Sequence, residues 1–426
     1  MITTESHRHI CTWKNKFQEI EMKYDFETII ERLGKDALAV DGPQTDRQAE
    51  KGYFGVPLKE GFDAIPMWVA DMNFATAPSI TEAVAERLTH PVFGYFIPRE
   101  EYFDAIIQWQ TKRNQVEGLC AECIGYENGV LGGVVSAAGV LCSQGDKILV
   151  HSPTYVGFTN ALGNAGYQLV HSPLYLDEEN IWRMDYEDME KKIIEQKIHT
   201  AILCSPHNPT GRAWERWELE KAMELFKKYD VYVISDEIWS DLYLEDYKHI
   251  PTQSVSEDAK NRTIAFYAPS KTFNLAGLIG SYHIVYNCWL RERLRKESSL
   301  SHYNNMNVLS MYALMGAYTP SGEAWLEELK EVLTKNIAYA CDFIKKNLEG
   351  VKVSKPQATY MLFLDCEEWC KKNEKTMDEL QKAGLEVGVL WQDGRAFHGA
   401  YGIRMNLALP HERVKEAFER LKKYVF

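Results

Sequence analysis

The chain has no apolar run approaching the 18 or so residues needed to cross a bilayer, and its first residues, MITTESHRHICTWKNKF, contain no apolar core segment. Membrane insertion and export are therefore not expected. It also lacks a basic patch: 48 lysines and arginines against 61 aspartates and glutamates leave a formal charge of −13, which opposes binding to polyanions. Nucleic acid is an unlikely partner on that ground. The nine cysteines are odd in number and scattered, which excludes a disulfide framework and points to reduced thiols in a cytoplasm. Cys120 and Cys123 form a CxxC, Cys366 and Cys370 a looser pair, and His7, His9 and Cys11 lie close together. No second pair stands at zinc spacing, so no metal is expected. Neither GxGxxG nor a P-loop is present, which disfavours a dinucleotide or ATP. Internal repeats and low-complexity tracts are also missing.

What the chain does have is length and alternation. At 426 residues it exceeds the size at which one core stops growing, so two units are expected. β-rich runs at Lys147 to His151, Gln168 to His171, Thr200 to Cys204, Val231 to Ser235, Thr263 to Tyr267 and Tyr282 to Tyr286 alternate with helical patterns such as Met184 to Gln196 and Arg216 to Lys228. This predicts an α/β fold: a three-layer α/β/α arrangement around a mainly parallel sheet. After about residue 310 the texture changes to a long helix at Gly322 to Leu348, short strands and a terminal helix, a smaller α+β unit. The expected division is 1–75, an arm and part of the small unit; 76–310, the large unit; and 311–426, the small C-terminal unit. A short helix is expected over Phe26 to Leu33.

Ligands of such sheets lie beyond the carboxyl ends of the strands, and six stretches are candidates to meet one. Lys271, in APSKTFNLAGL, follows a strand and is either a surface charge or a reactive amine. ENGVLGGVVSAAGVLC leads a glycine turn into a small-residue helix, whose first amides, at Val130 and Leu131, suit a phosphate unless the helix simply packs tightly. Tyr155 in HSPTY can stack on a planar ring or pack. Asn208 in CSPHNPTG is held between prolines and can bond a ligand oxygen or its own backbone. Asp236, after VYVIS, is a carboxylate that needs a partner: a protonated ring nitrogen or a helix cap. Arg404 lies inside the apolar strand of GIRMNLALP and calls for a carboxylate, of a ligand or of the protein. Together these residue types describe a site for pyridoxal 5'-phosphate, with the lysine for a Schiff base, the aspartate for the pyridine nitrogen and the arginine for an amino-acid carboxylate.

The blocks WVADMNF, FGYF, SPHNPTGR, SDEIWSDL, APSKTFNLAGL and IRMNLALP resemble the fold-type I pyridoxal-phosphate enzymes of the class I and II aminotransferase superfamily. Within it they are similar to the MalY/PatB-like cystathionine β-lyase branch, over Trp68 to Pro410. The resemblance implies that Lys271 holds the cofactor and acts at Cα, that Asp236 pairs with the pyridine nitrogen, Asn208 with the phenolic oxygen, and that Tyr155 stacks on the ring. It implies that Ser270 and the Val130 and Leu131 amides bind phosphate, that Arg404 holds the substrate carboxylate, and that Tyr95 reaches the neighbouring subunit's site in a homodimer. Trp239 and Ile279 stand where many aminotransferases have a tyrosine and an arginine, which favours a carbon–sulfur β-lyase acting on cystathionine or related L-cysteine S-conjugates. An L-amino-acid aminotransferase is the alternative, and a fold retained for binding without turnover a third reading.

Overall fold

Six of the expected strands become neighbours in a seven-stranded sheet, in the order Ile124–Glu127, Ser281–Ile284, Thr263–Tyr267, Tyr232–Asp236, Thr200–Cys204, Lys147–Ser152, Gln168–Pro173. This computed structural model describes residues 22–44, 53–300 and 304–426. Ser281–Ile284 runs against both of its neighbours, while the other pairings between adjacent strands are parallel. The carboxyl ends of six strands therefore share one edge. The strand that sequence reading missed, Ile124–Glu127, is short and carries a glycine, so it shows little β pattern.

Side chains alternate between two apolar layers, as the two-residue period of a strand requires. Ile148, Val150, Ile202, Ile234 and Ile264 pack with Val134, Ala137, Phe158 and Leu290 on one face. Leu149, Ala201, Leu203 and Val233 pack with Met189, Ile193, Leu219 and Phe226 on the other. Each face is covered by helices, which is the expected three-layer arrangement.

A second sheet of four strands runs Lys352–Val353, Met361–Asp365, Gly402–Asn406, Gln392–Asp393, antiparallel throughout. The helices Pro320–Asn347 and His411–Tyr424 cover it, and their buried side chains form one core with Phe26, Met67, Met72 and Phe74 from the early chain. The helix expected over Phe26 to Leu33 does not form. There the Asp25 carboxylate accepts the N–H groups of Glu27 and Thr28, which gives the backbone a turn in place of a helical ladder. His7, His9 and Cys11 lie outside the described residues.

One buried amide ties the long helix to the second sheet. Asn336 donates to the carbonyls of Leu407 and Leu409 at 2.9 and 2.8 Å, just beyond the strand that carries Arg404. Asn336→Ala leaves both carbonyls without that donor and should lower the unfolding free energy by about 2–4 kcal/mol. A lower urea midpoint at unchanged slope would register it, and an unmoved midpoint would refute it.

Candidate active site

Lys271 sits in the short helix Pro269–Thr272 that follows the strand ending at Tyr267, and its amine points back to the N-terminal part of the chain. Lys271 Nζ donates to the carbonyl of Ala70 at 2.8 Å, and the indole of Trp239 lies 5.9 Å from it. Burial pushes the amine down to about 8, helped by the nearby Arg404 cation and opposed by Asp71 and Asp236. A lysine in that range has a substantial neutral fraction near neutral pH, as a nucleophile or base requires.

Residues 68–73, from the WVADMNF block, form a strap whose carbonyls hold one functional side chain after another. Trp68 O accepts from Arg404 at 2.9 Å, and Ala70 O accepts from Lys271. Val69 O and Asp71 O accept from the Asn406 amide at 2.8 and 2.5 Å. Asn274, three residues past the lysine, accepts from Met72 N at 3.0 Å and donates to Met72 O at 3.0 Å. The strap thus couples the lysine of the large sheet to the arginine of the small one.

Arg404 is buried, 3% exposed, and its acceptors are neutral: Asn208 Oδ1 at 3.2 Å, Trp68 O and Gln392 Oε1. Its Nε has no partner among the described residues, and its guanidinium stacks on Phe397 at 4.6 Å. Burial lowers its pKa to about 10, with Tyr155 and Tyr360 pulling the other way. The internal salt bridge that was one reading of this residue is not among its hydrogen-bond partners. A buried cation with only neutral partners and an unused N–H is suited to an incoming carboxylate.

Asp236 closes its strand and is equally short of partners. Its carboxylate accepts from the Ile238 N–H at 3.2 Å, and burial raises its pKa to about 7. A cationic ring N–H beside it would return it to the charged form. Tyr155 opens the helix Val156–Asn164 and is partly buried; burial raises its hydroxyl, and Arg404 and Asp236 are both within electrostatic reach. Its ring packs over Gly157, where a Cβ would lie 2.4 Å from Tyr155 Cε1 and 3.0 Å from Leu131 Cδ1. Gly129, at φ +87°, turns the chain from Glu127 into the helix Val130–Leu141, so the first-turn amides of Val130 and Leu131 face outward from the helix start. Ile279 lies against Gly129, where a Cβ would be 3.7 Å from Ile279 Cγ2.

The lysine, aspartate, asparagine, arginine and Tyr155 are thus brought together, and this donor set suits pyridoxal phosphate: a carboxylate with one backbone donor and room for a ring N–H, a shared Asn208 amide, and an amine of lowered pKa. Ser270 lies beside Lys271 in the same short helix. Tyr95 is not part of this cluster; it is fully exposed on an irregular segment with Phe93 and Ile97. Cys120 and Cys123, with sulfurs 3.4 Å apart, lie at the start of Ile124–Glu127 and contribute nothing to the site. Sequence reading missed Asn406, Asn274 and Arg32, whose guanidinium grips Asp71 of the strap. Asn406 had a signal: it stands two residues from Arg404 in one strand and so shares its face.

Over residues 65–421 the chain matches the family model for aminotransferase class I and II. It is 33% identical over 401 residues to cystathionine beta-lyase PatB of Bacillus subtilis, covering 93% of this chain and 99% of that protein. To protein MalY of Escherichia coli it is 29% identical, covering 92% and 96%. The crystal structure of the PLP-bound C-S lyase from Staphylococcus hominis superposes with a TM-score of 0.84 at 30% identity, over 95% of this chain and 99% of that one. The chain belongs to the class I and II aminotransferase family.

Proposed function

We propose that this protein is a pyridoxal-phosphate-dependent carbon–sulfur β-lyase that splits cystathionine or a related L-cysteine S-conjugate into pyruvate, ammonia and a thiol. The observation that carries the reading is the convergence of Lys271, Asp236 and Arg404, each buried or crowded and none matched by a full opposite charge within hydrogen-bond reach. The names of PatB and of the Staphylococcus hominis lyase support the substrate class. Residues 76–310 would form the unit that holds the cofactor, 311–426 the unit that supplies the arginine, and 1–75 the arm and strap between them. The enzyme would work in the cytoplasm as a homodimer, with Tyr95 of each copy serving its neighbour's site.

Bound pyridoxal phosphate supplies an electron sink conjugated to the amino acid's Cα. The amides of Val130 and Leu131, with the Ser270 hydroxyl, would hold the phosphate at a helix start, where the partial positive charge favours an anion. Asp236 would keep the pyridine nitrogen protonated, Asn208 would bond the phenolic oxygen, and Tyr155 would stack on the ring. Arg404 orients the substrate through its α-carboxylate. Lys271 would take the Cα proton; the Cβ–S bond would then break and the sulfur leave with the bonding pair as a thiolate. Hydrolysis of the remaining three-carbon fragment gives pyruvate and ammonia.

Two outcomes are expected. Wild-type protein given cystathionine and no keto acid should release pyruvate and a free thiol, and Lys271→Ala should lower that rate by more than about 10³-fold. Product that forms only when 2-oxoglutarate is added would favour transamination, and a Lys271→Ala enzyme that kept its rate would sink the mechanism. The second concerns pH. Only the neutral amine attacks an aldehyde, and Lys271 has its pKa lowered to about 8. Cofactor uptake by cofactor-free protein, followed by visible absorbance, should therefore speed up as pH rises through about 8 and level off above it. A rate still climbing steeply towards the ordinary lysine range would contradict this.

A further inference from the structure

Arg32 lies in the early chain, far in sequence from the groups described above, yet it makes four hydrogen bonds to three consecutive residues of the strap. Its guanidinium reaches Asp71 Oδ1 at 3.2 Å and Oδ2 at 2.6 Å, Met72 O at 3.3 Å and Asn73 Oδ1 at 3.0 Å. Arg32 and Asp71 side chains are each 18% exposed, so the pair is shielded from the screening that makes surface ion pairs weak. The same arm holds the other end of the strap, where Trp68 Nε1 donates to Ala39 O at 2.9 Å. Between those two anchors lies Ala70, whose carbonyl carries the Lys271 amine.

We propose that Arg32 is a positioning residue for Lys271: it pins the strap that holds the amine, and it neutralises Asp71, the carboxylate next to the amine's acceptor. The proposal rests on the reading of Lys271 as the reactive amine. The charged and titratable groups around that amine are Asp71 from the strap, Asp236 from the end of its strand and Arg404 from the small sheet. Tyr360 is sensitive to Asp71 and Arg404, and Tyr155 to Arg404 and Asp236. Arg404 is fixed by neutral groups, and Asp236 would be committed to the ring nitrogen. Asp71 is then the one anion whose effect on the lysine can be set by a residue outside the site. Left alone it would hold the amine as ammonium, a form that neither attacks an aldehyde nor accepts a proton. The pairing with Arg32 weakens that pull, while the backbone of Asp71 still serves the strap.

This has a signature that a merely structural clamp lacks. Loss of the cation and loss of the anion move the lysine in opposite directions, whereas a loosened strap would move it the same way in both variants. The experiment compares wild type, Arg32→Met, Asp71→Asn and the double variant, each loaded with pyridoxal phosphate, by titrating the visible absorbance from about pH 6 to about pH 10. Arg32→Met should raise the midpoint by about one pH unit and Asp71→Asn should lower it by a similar amount. The double variant should return close to wild type, and Arg32→Lys should lie between wild type and Arg32→Met. Midpoints that move together, or that stay at the wild-type value in both single variants, overturn the proposal and leave the proposed function standing. Should Arg32→Met fail to fold, as a thermal melt would reveal, the direction of Asp71→Asn alone decides. A pH-dependent transition of the visible absorbance that persists in Lys271→Ala would overturn both readings.

Discussion

The site rests on one constraint: cations are held by backbone carbonyls and amides, leaving their charge unspent. Lys271 hangs from Ala70 O, and Arg404 from Trp68 O, Gln392 and Asn208. Neutral acceptors fix the direction of a cation without cancelling it, so burial remains costly and each group keeps a strong preference for an anion. A carboxylate in the same places would satisfy both cations and close the site to a substrate. The carbonyls come from one strap, residues 68–71, which reaches across from the early chain. The sheet sets the height of Lys271, the small sheet sets Arg404, and the strap sets their separation.

Asp236 and the residue after it show how a strand end sorts two adjacent carboxylates. Successive side chains point to opposite faces. On one face Glu237 collects the Ser235 hydroxyl at 2.8 Å, the Tyr267 hydroxyl at 2.6 Å, the His249 ring at 2.6 Å and the Thr252 N–H at 3.1 Å. Burial pushes its pKa up, and His249 with the other donors pulls it below the ordinary value. On the other face Asp236 receives the Ile238 N–H and is raised to about 7. Burial is the same for both; the supply of donors differs. A saturated carboxylate is a structural anchor, and a starved one is an anion site waiting for a cation.

Much of this was legible in the sequence because it depends on local order. Lys271, Asp236, Asn208 and Tyr155 each sit at or just after a strand, and strand ends can be read from apolar runs bounded by turn residues. What could not be read depends on chain closure. The contacts Lys271 to Ala70, Arg404 to Trp68 and Arg32 to Asp71 join residues 201, 336 and 39 positions apart. WVADMNF was visible as a block, but no periodicity tells which of its carbonyls is spent on which side chain. The helix expected at Phe26 to Leu33 fails for the opposite reason: a local competitor, the Asp25 carboxylate, outweighs an apolar pattern whose Ile29 and Ile30 end up exposed. Tyr95, also readable as part of a block, ends up exposed and apart from the other site residues.

The choice between elimination and transamination is made after Cα loses its proton, and the residues described here bear on it through the mobility of one amine. Lys271 is tethered by a hydrogen bond to a neutral carbonyl, an interaction worth about 1 kcal/mol net, so it can leave Ala70 and return without a large barrier. In the proposed mechanism, proton return by that amine would compete with departure of the group on Cβ. A thiol has an ordinary pKa near 8.5, so a thiolate leaves readily, whereas a hydrocarbon side chain cannot leave at all. With a sulfur on Cβ, expulsion needs no further help from the protein; without one, only proton return is open. One arrangement of lysine, aspartate and arginine can therefore serve both outcomes.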